Sequence, residues 1–572
     1  MASLRFGDVI SAPSSWGRGV RFGGVQWGTN FATQPGFISF PLPTLGGVAA
    51  EPSTVDFYVN NVLRLRREVP SGPFAVQDLP IVTGQGDIRM VVRDLLGREQ
   101  VVTQPFYASG GLLAQGLRDY SYELGFEREN YGLASNDYGR LVAAVTERHG
   151  FSDNFTGELH VEGTRRQQTL GIGSTVLLGN AGVLTASFAG SHDAAGTGAL
   201  AELGIQHQSR YFSYGARTQL TTNGFVQLGY SPSTRPPRQT SSAFMSVNVG
   251  RFGSLGLNYT HQDFRGQEDV ELVGVNYSRS VGWLGYVSLS ALQFLGDAAA
   301  PLFSLNLTVP LGTVDSASFS GQARAGDMHG TVQYQHSLPV GTGVGYRLQT
   351  GLAANDPRQA DLSLQNDVGT YTLGVASGPD GQAYQASVRG GVALLSGKVF
   401  PSRHIDGSFA VVQVPGFAKV RVYADNQQIG MTDSDGYALV PRLRPYQKNP
   451  IRIEQADLPM DAQIEGLQLD AVPYYHSALA LTFPVTRSRG AIVVIKLDGG
   501  SYLPAGAEVT VDTHAEAVPV GLRGEVYLTG LGETSRLHAT WNGKSCDMTI
   551  GFPTTTDPLP RLGPVTCHGI DP

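Results

Sequence analysis

The sequence predicts an all-β fold: a large transmembrane antiparallel β-barrel, a small β-sandwich inserted near its front, and two small β-sandwich domains at the C-terminal end. Three observations lead there. Apolar and polar residues alternate along many short segments: Phe303, Leu305, Leu307 and Val309 interleave with Ser304, Asn306 and Thr308, and Leu255, Leu257 and Tyr259 with Asn258 and Thr260. A period of two sends successive side chains to opposite faces of a sheet. Turn-forming residues recur between these segments, and glycine alone contributes 73 of the 572 residues. Finally, no stretch approaches the ~18 uninterrupted apolar residues that a membrane helix requires. A chain that crosses a bilayer without such a helix must satisfy its backbone within a closed sheet.

The elements follow in order. Residues 1–48 supply a hairpin near Leu4–Phe31 that opens the barrel. Residues 49–104 break the rhythm with a strand at Val55–Val59, a turn at Asn60-Asn61 and the segment VPSGPFAVQDLP (69–80). A strand at Ile88–Val92, a turn near Asp94–Gly97 and a last strand near Val101 complete that unit. It is too short and too rich in Pro and Gly to continue a barrel, and reads as a small sandwich. From 105 to 406 the alternation resumes: Ala360, Leu362 and Leu364 against Asp361, Ser363 and Gln365, and Leu184, Ala186 and Phe188 against Thr185 and Ser187. Segments recur roughly every 16 residues, split by turns such as Asn223-Gly224, Gly296-Asp297 and Asn355-Asp356-Pro357, which gives on the order of 18 strands. The apolar set is expected to face lipid and the polar set a wet lumen. Tyr120, Tyr122, Tyr211, Tyr214, Tyr277, Tyr286 and Tyr346 stand near strand ends, as aromatic girdles require. A soluble solenoid would show a tighter repeat, and a run of sandwiches a more apolar inner face. Past about residue 405, denser Pro, Asp and Glu mark two small β domains, 407–486 and 487–572, with a junction near Arg487–Gly490.

Catalytic chemistry finds no foothold. There is no GxxxxGK[ST] phosphate loop, no HExxH zinc pair and no GxSxG elbow. Gly341-Thr342-Gly343-Val344-Gly345 lies in a barrel turn and lacks the strand-to-helix setting of a nucleotide site. Twelve scattered histidines form no metal-ligand spacing. Asp433-Ser434-Asp435-Gly436 has the start of a calcium loop without its bidentate Glu, and reads as a tight turn. A formal net charge of −7, with 16% charged residues, leaves no basic footprint for nucleic acid. The expectation is therefore a protein that is not an enzyme and holds no cofactor or metal. Two cysteines, Cys546 and Cys567, are spaced for one disulfide in an oxidising compartment, with a pair of buried thiols as the alternative.

Several segments go beyond generic β patterning. VPSGPFAVQDLP, with Val69, Pro70, Gly72, Pro73, Phe74, Asp78, Leu79 and Pro80, is followed by Gly86-Asp87 and Pro105-Phe106-Tyr107. Before it stand Gly7-Asp8, FGGVQWGTN (22–30) and Pro43-Thr44-Leu45-Gly46-Gly47-Val48-Ala49. Together these resemble the plug region of fimbrial outer-membrane ushers, the assembly platforms of chaperone–usher pili. In the tail, GMTDSDGYALVPRLRPYQKNPIRIEQADLP (430–459) is similar to the first C-terminal domain of that family. LPAGAEV (503–509), GEVYLTG (524–530) and Trp541 followed by Cys546 are similar to the second. The likeness runs in order along nearly the whole chain.

The resemblance implies a barrel of about 24 strands, gated by a plug (49–104) set between the sixth and seventh. It implies transport of a growing pilus, a Gram-negative outer-membrane location, and C-terminal domains in the periplasm that take over chaperone–pilin complexes. Arg442, Arg444, Tyr446 and Lys448 are the candidates for that contact. A periplasmic pilus chaperone, pilin subunits, outer-membrane lipid and a second usher copy are the implied partners. The start of the chain departs from the pattern. MASLRFGDVI has no secretory signal, and the residues before the plug suffice for one hairpin, so the sequence is expected to be a fragment or to have its true start upstream. Two other readings compete. A plugged uptake barrel or porin would normally end at its last wall strand, whereas this chain continues through 407–572. A secreted β-rich adhesin would be soluble without detergent.

Overall fold

A computed structural model describes the chain apart from residues 43, 44, 50–52, 60, 61, 70, 71, 77–82, 95–98, 231–233, 267, 297–299, 354, 355, 380, 396, 460, 461, 488, 513, 556, 558, 571 and 572. The described residues form strands and short 3-10 turns, with no α-helix. One sheet of 21 strands dominates. Its strands are antiparallel and follow chain order: Ala2–Ile10 pairs Arg21–Thr29, which pairs Arg118–Arg128, which pairs Tyr138–Ser152. The ladder continues strand by strand to Asp327–His336. Among the described residues, 18 strands run from Arg118–Arg128 through Gly381–Leu395 inclusive, as the turn spacing predicted.

Burial along this wall is inverted relative to a soluble protein. On Gln167–Leu177 the apolar Leu170 and Ile172 are exposed while Thr169 and Gly171, which alternate with them, are buried. On Val183–Asp193 Phe188 is 61% exposed and Ser187 0%. Such a pattern fits one environment, hydrocarbon outside and polar contents inside. The alternating pattern fixes the register as well, because a one-residue slip would exchange the two faces.

Contact density divides the chain into two compact units. The first comprises Met1–His336, Arg347–Ala360 and Ala376–Ala383. It contains the leading hairpin, the insert and most of the wall. The insert occupies the connection between Arg21–Thr29 and Arg118–Arg128, two strands that are direct neighbours (Phe22 opposite Glu127, Gly28 opposite Ser121). Its four-stranded sheet is built from Val62–Val69, Ser53–Val59, Gly84–Asp94 and Glu99–Ala108, and a second sheet pairs Leu45–Ala49 with Gly72–Val76. Val55, Phe57, Val59, Ile88 and Met90 pack as its core. Asp56, buried in that sheet, receives two hydrogen bonds from Arg66 opposite it, at 2.6 and 2.8 Å.

The second unit comprises Ser337–Tyr346, Asp361–Val375 and Tyr384–Pro572. Its first tail domain sets Ser408–Gln413 between Tyr437–Leu443 and Ala478–Thr482, the latter parallel. A four-stranded sheet of Gln427–Met431, Arg421–Ala424, Asn449–Ile453 and Gln468–Ala471 packs with it around Val412, Val422, Ile451 and Phe483. In the second tail domain Ala491–Leu497 lies between Glu525–Leu528 and Arg561–Cys567, and the other sheet holds Glu508–Val511 and Thr534–Trp541. Val493, Ile495, Ala507, Val509, Val526, Leu528 and Leu537 form its core. Within GEVYLTG the buried Val526 and Leu528 alternate along Glu525–Leu528, while LPAGAEV is a turn that enters Glu508–Val511 at its last two residues. Cys546 and Cys567 are joined as a disulfide with Cα atoms 5.6 Å apart.

Candidate functional site

The inner face of the wall is where the polar residues gather, and it is not simply wet. Two connections fold inward and cover it along strands 118–248. The first is residues 11–20, SAPSSWGRGV, at the tip of the leading hairpin. Its backbone is pinned to the carboxylates of the wall: Ala12 N donates to Glu123 at 2.7 Å, and Ser15 N and Oγ donate to Glu158 at 2.8 and 2.9 Å. Arg217 donates to Ser15 O at 2.8 Å and to Glu202 at 2.6 Å. Trp16, only 2% exposed, packs with Ala189, Leu200 and Phe225 and meets the His160 ring edge-on at 5.1 Å. Gly171 makes this possible, since a Cβ there would lie 2.5 Å from the Trp16 ring.

The second inward connection comprises residues 222–230. Val226 N donates to Ser191 Oγ at 2.9 Å, Leu228 N to Glu162 at 2.6 Å, and Thr169 Oγ1 to Val226 O at 2.9 Å. Leu228 packs with Val20, Phe22 and Val142, and Arg18 stacks over the Tyr230 ring at 4.5 Å, so the two connections meet each other. A buried carboxylate needs hydrogen-bond donors, and here the loops supply the amides of Ala12, Ser15 and Leu228 beside side-chain donors such as Gln26, Ser121 and Arg217. Glu162 also lies 3.2 Å from His160, whose other ring nitrogen is 2.8 Å from Thr146 Oγ1. The expectation of a wet inner face is corrected along these strands: it is packed and hydrogen-bonded to protein.

The predicted motif residues of the insert are distributed as follows. Val69 is buried at the end of Val62–Val69. Gly72, Pro73 and Phe74 lie on the strand paired with Leu45–Ala49, opposite Ala49, Val48 and Gly47. Gly86 and Asp87 lie opposite Phe106 and Pro105. Pro70, Asp78, Leu79 and Pro80 fall outside the described residues, as does the turn at Asn60-Asn61. The insert leaves through Tyr107, whose hydroxyl accepts from Gln208 N at 3.1 Å and whose ring stacks on His207 at 5.5 Å. The chain then runs on to the wall with Arg148 donating to Gly111 O at 2.9 Å and Leu113 N donating to Thr156 Oγ1 at 2.8 Å.

In the first tail domain the structure brings Arg444, Tyr446 and Lys448 onto one loop and places Arg442 on the adjoining strand. Asn449 shapes that loop from below. It is buried, donates to the carbonyls of Arg444, Gln447 and Ala471, and accepts from Arg444 N. Tyr446 adopts φ 60°, donates its N–H to Pro473 O at 2.7 Å and meets Tyr474 edge-on at 6.0 Å. Arg444 pairs with Asp425 at 2.8 Å and Lys448 with Asp470 at 3.6 Å. Arg442 is exposed on Tyr437–Leu443. The exposed rings of Tyr474 and Tyr475 extend this surface; sequence reading overlooked them, although the run PYYH gave a signal. Asp433-Ser434-Asp435-Gly436 is a tight turn, with Asp433 accepting from the amides of Asp435 and Tyr437. Among the described residues, no group of three or more His, Cys, Asp or Glu is placed to hold a metal ion.

Comparison with known proteins now adds identity to this geometry. Residues 1–482 match the family model described as outer membrane usher protein, and residues 492–554 match that of the PapC C-terminal domain. The outer membrane usher protein PsaC of Yersinia pestis is 26% identical, covering 93% of this chain and 68% of its own. The outer membrane usher protein FimC of Bordetella pertussis is 27% identical, covering 94% and 65%. This chain thus spans about two thirds of the length of these relatives. In three dimensions it is similar to a chain in the cryo-EM structure of an E. coli P pilus tip assembly intermediate, PapC-PapD-PapK-PapG, with TM-score 0.72, 20% identity, and coverage of 100% of this chain and 73% of that one. The protein belongs to the outer membrane usher family, and its place is the outer membrane of a Gram-negative bacterium.

Proposed function

We propose that this chain supplies the pore, the gate and the C-terminal receiving domains of an usher that assembles and secretes a pilus. A subunit arrives held by a periplasmic chaperone, exchanges the chaperone's strand for that of the next subunit, and moves outward through the barrel. Strand exchange is a form of β-strand addition. The free energy of completing a subunit's fold drives it, so no nucleotide is required. The observation that carries this reading is the order of parts: a lipid-facing wall, a folded insert within one connection of that wall, and two folded domains behind it.

The insert's placement supports its role as gate. Because Arg21–Thr29 and Arg118–Arg128 hydrogen-bond to each other directly, residues 30–117 are an excursion whose displacement breaks no ladder of the wall. The inward connections 11–20 and 222–230 narrow the same space. The loop of Arg444, Tyr446 and Lys448, with Arg442 beside it and Tyr474 and Tyr475 at its margin, is the proposed contact for the chaperone–subunit complex, because exposed, rigidly held aromatics and Arg are the residue types that dominate protein interfaces. Coexpression with the chaperone and subunits tests the reading. A chaperone–subunit complex should copurify with this chain in detergent and be lost on deletion of 407–572. Copurification that is absent throughout, or unaffected by that deletion, refutes the proposal.

A further inference from the structure

Arg403, between the last strands of the wall and the first tail domain, is only 8% exposed. A guanidinium withdrawn from water must be matched by acceptors, and its acceptors come from two different parts of the second unit. Nη1 donates to Val340 O, in the connection 337–342 between wall strands. Nη2 donates to Ile429 O at 2.7 Å, on the strand Gln427–Met431 of the tail domain. Its own backbone N–H donates to Asp367 O at 3.2 Å, in the neighbouring wall connection 366–368. Burial lowers the Arg403 pKa and raises that of Asp367, while the attraction between the two opposes both shifts.

The surroundings are built to the same end. Gln365 Nε2 holds connection 337–342 by donating to Pro339 O, Val340 O and Gly341 O at 2.9, 3.3 and 2.6 Å. Gly341 admits the tail domain's backbone, since a Cβ there would lie 2.6 Å from Gln428 O. A Cβ on Gly430 would lie 3.0 Å from Asp367 Oδ1. Gln427–Met431 is the edge strand of its sheet, and an open edge is a place for unwanted pairing. Here two of its carbonyls face the wall connections. A second fastening lies nearby: Lys398 Nζ sits 4.0 Å above the Tyr437 ring and 3.5 Å from Asp435.

We propose that Arg403 is a positioning residue that keys the first tail domain to the wall connections 337–342 and 366–368 in one register, so that chaperone–subunit complexes are presented to the pore at a fixed position. The inference rests on the reading of the tail domains as the receiving site. Arg403→Ala, Arg403→Lys and a deletion of 407–486 in the complete protein test it, with three readouts: heat-modifiable mobility for the wall, amide exchange of residues 427–431, and surface pilin. Arg403→Ala should leave mobility unchanged, speed exchange at 427–431 at least tenfold and lower surface pilin at least tenfold. Lysine, which keeps the charge but not the fork that spans both carbonyls, should fall between. A cysteine pair at Val340 and Gln428, which leaves Gly341 in place, should restore pilin in the Arg403→Ala background when joined by a short thiol cross-linker. Unchanged exchange in Arg403→Ala overturns the lock, and pilin that cross-linking does not restore overturns the positioning role. Normal pilin after deletion of 407–486 would instead remove the receiving-site reading and leave the lock to stand on exchange alone.

Discussion

Trp16 and Asp457 show how single side chains decide local order in this molecule. Trp16 is the apolar anchor of an otherwise polar loop, seated over Gly171 between Ala189, Leu200 and Phe225. Truncating a buried aromatic costs about 3–5 kcal/mol. Trp16→Ala should therefore release residues 11–20, seen as faster amide exchange there with unchanged heat-modifiable mobility of the wall. Equal exchange in both proteins would show that the carboxylate pins suffice without the anchor. Asp457 takes two side-chain hydrogen bonds from Arg421, at 2.8 and 2.9 Å, and a third from the Arg421 backbone at 2.9 Å. These bonds hold its carboxyl below the ordinary carboxylate value of 3.8. The folded chain then binds the proton less readily than the unfolded chain. This contribution to stability is full above the ordinary value and fades as pH falls through the lowered one. Protection of residues 449–453 should accordingly weaken in that acid range, and Asp457→Asn should flatten the dependence. An identical acid profile in the variant would assign the effect elsewhere.

At the scale of elements, the wall was legible because its pattern is local. Alternation in Leu302–Pro310 or Ser254–Asp263 follows from the pleat alone, so strand number and facing emerge without knowledge of neighbours. The inward loops were not legible. Nothing local in SAPSSWGRGV says that its amides meet Glu123 and Glu158, because those carboxylates lie more than a hundred residues away in sequence. The length of connection 222–238 was a usable signal, since most wall turns are far shorter. The insert is the element with the plainest functional prediction. Removing residues 49–104 from the complete protein should open a large pore, because the neighbouring strands stay paired without it. Planar-bilayer recordings read this directly, and an unchanged conductance would reject the insert as gate.

Across the whole molecule, family-like segments such as VPSGPFAVQDLP and GMTDSDGYALVPRLRPYQKN carry the resemblance to the usher family, and residues 1–482 match that family as a whole. The candidate contact residues were found as a group, but their geometry was not: Arg444 and Lys448 carry acidic partners, and Tyr446 is held by Asn449 and Pro473 from outside its own run. By itself the sequence determined fold class, strand count, the lipid-facing set and the family, since each depends on periodicity or on contiguous motifs. Only the tertiary structure decided what fills the lumen and how Arg403 joins the first tail domain to connections 337–342 and 366–368. Those contacts pair backbone groups and side chains far apart along the chain. A backbone carbonyl or amide is the same in every residue, so its partner leaves no mark in the order of amino acids.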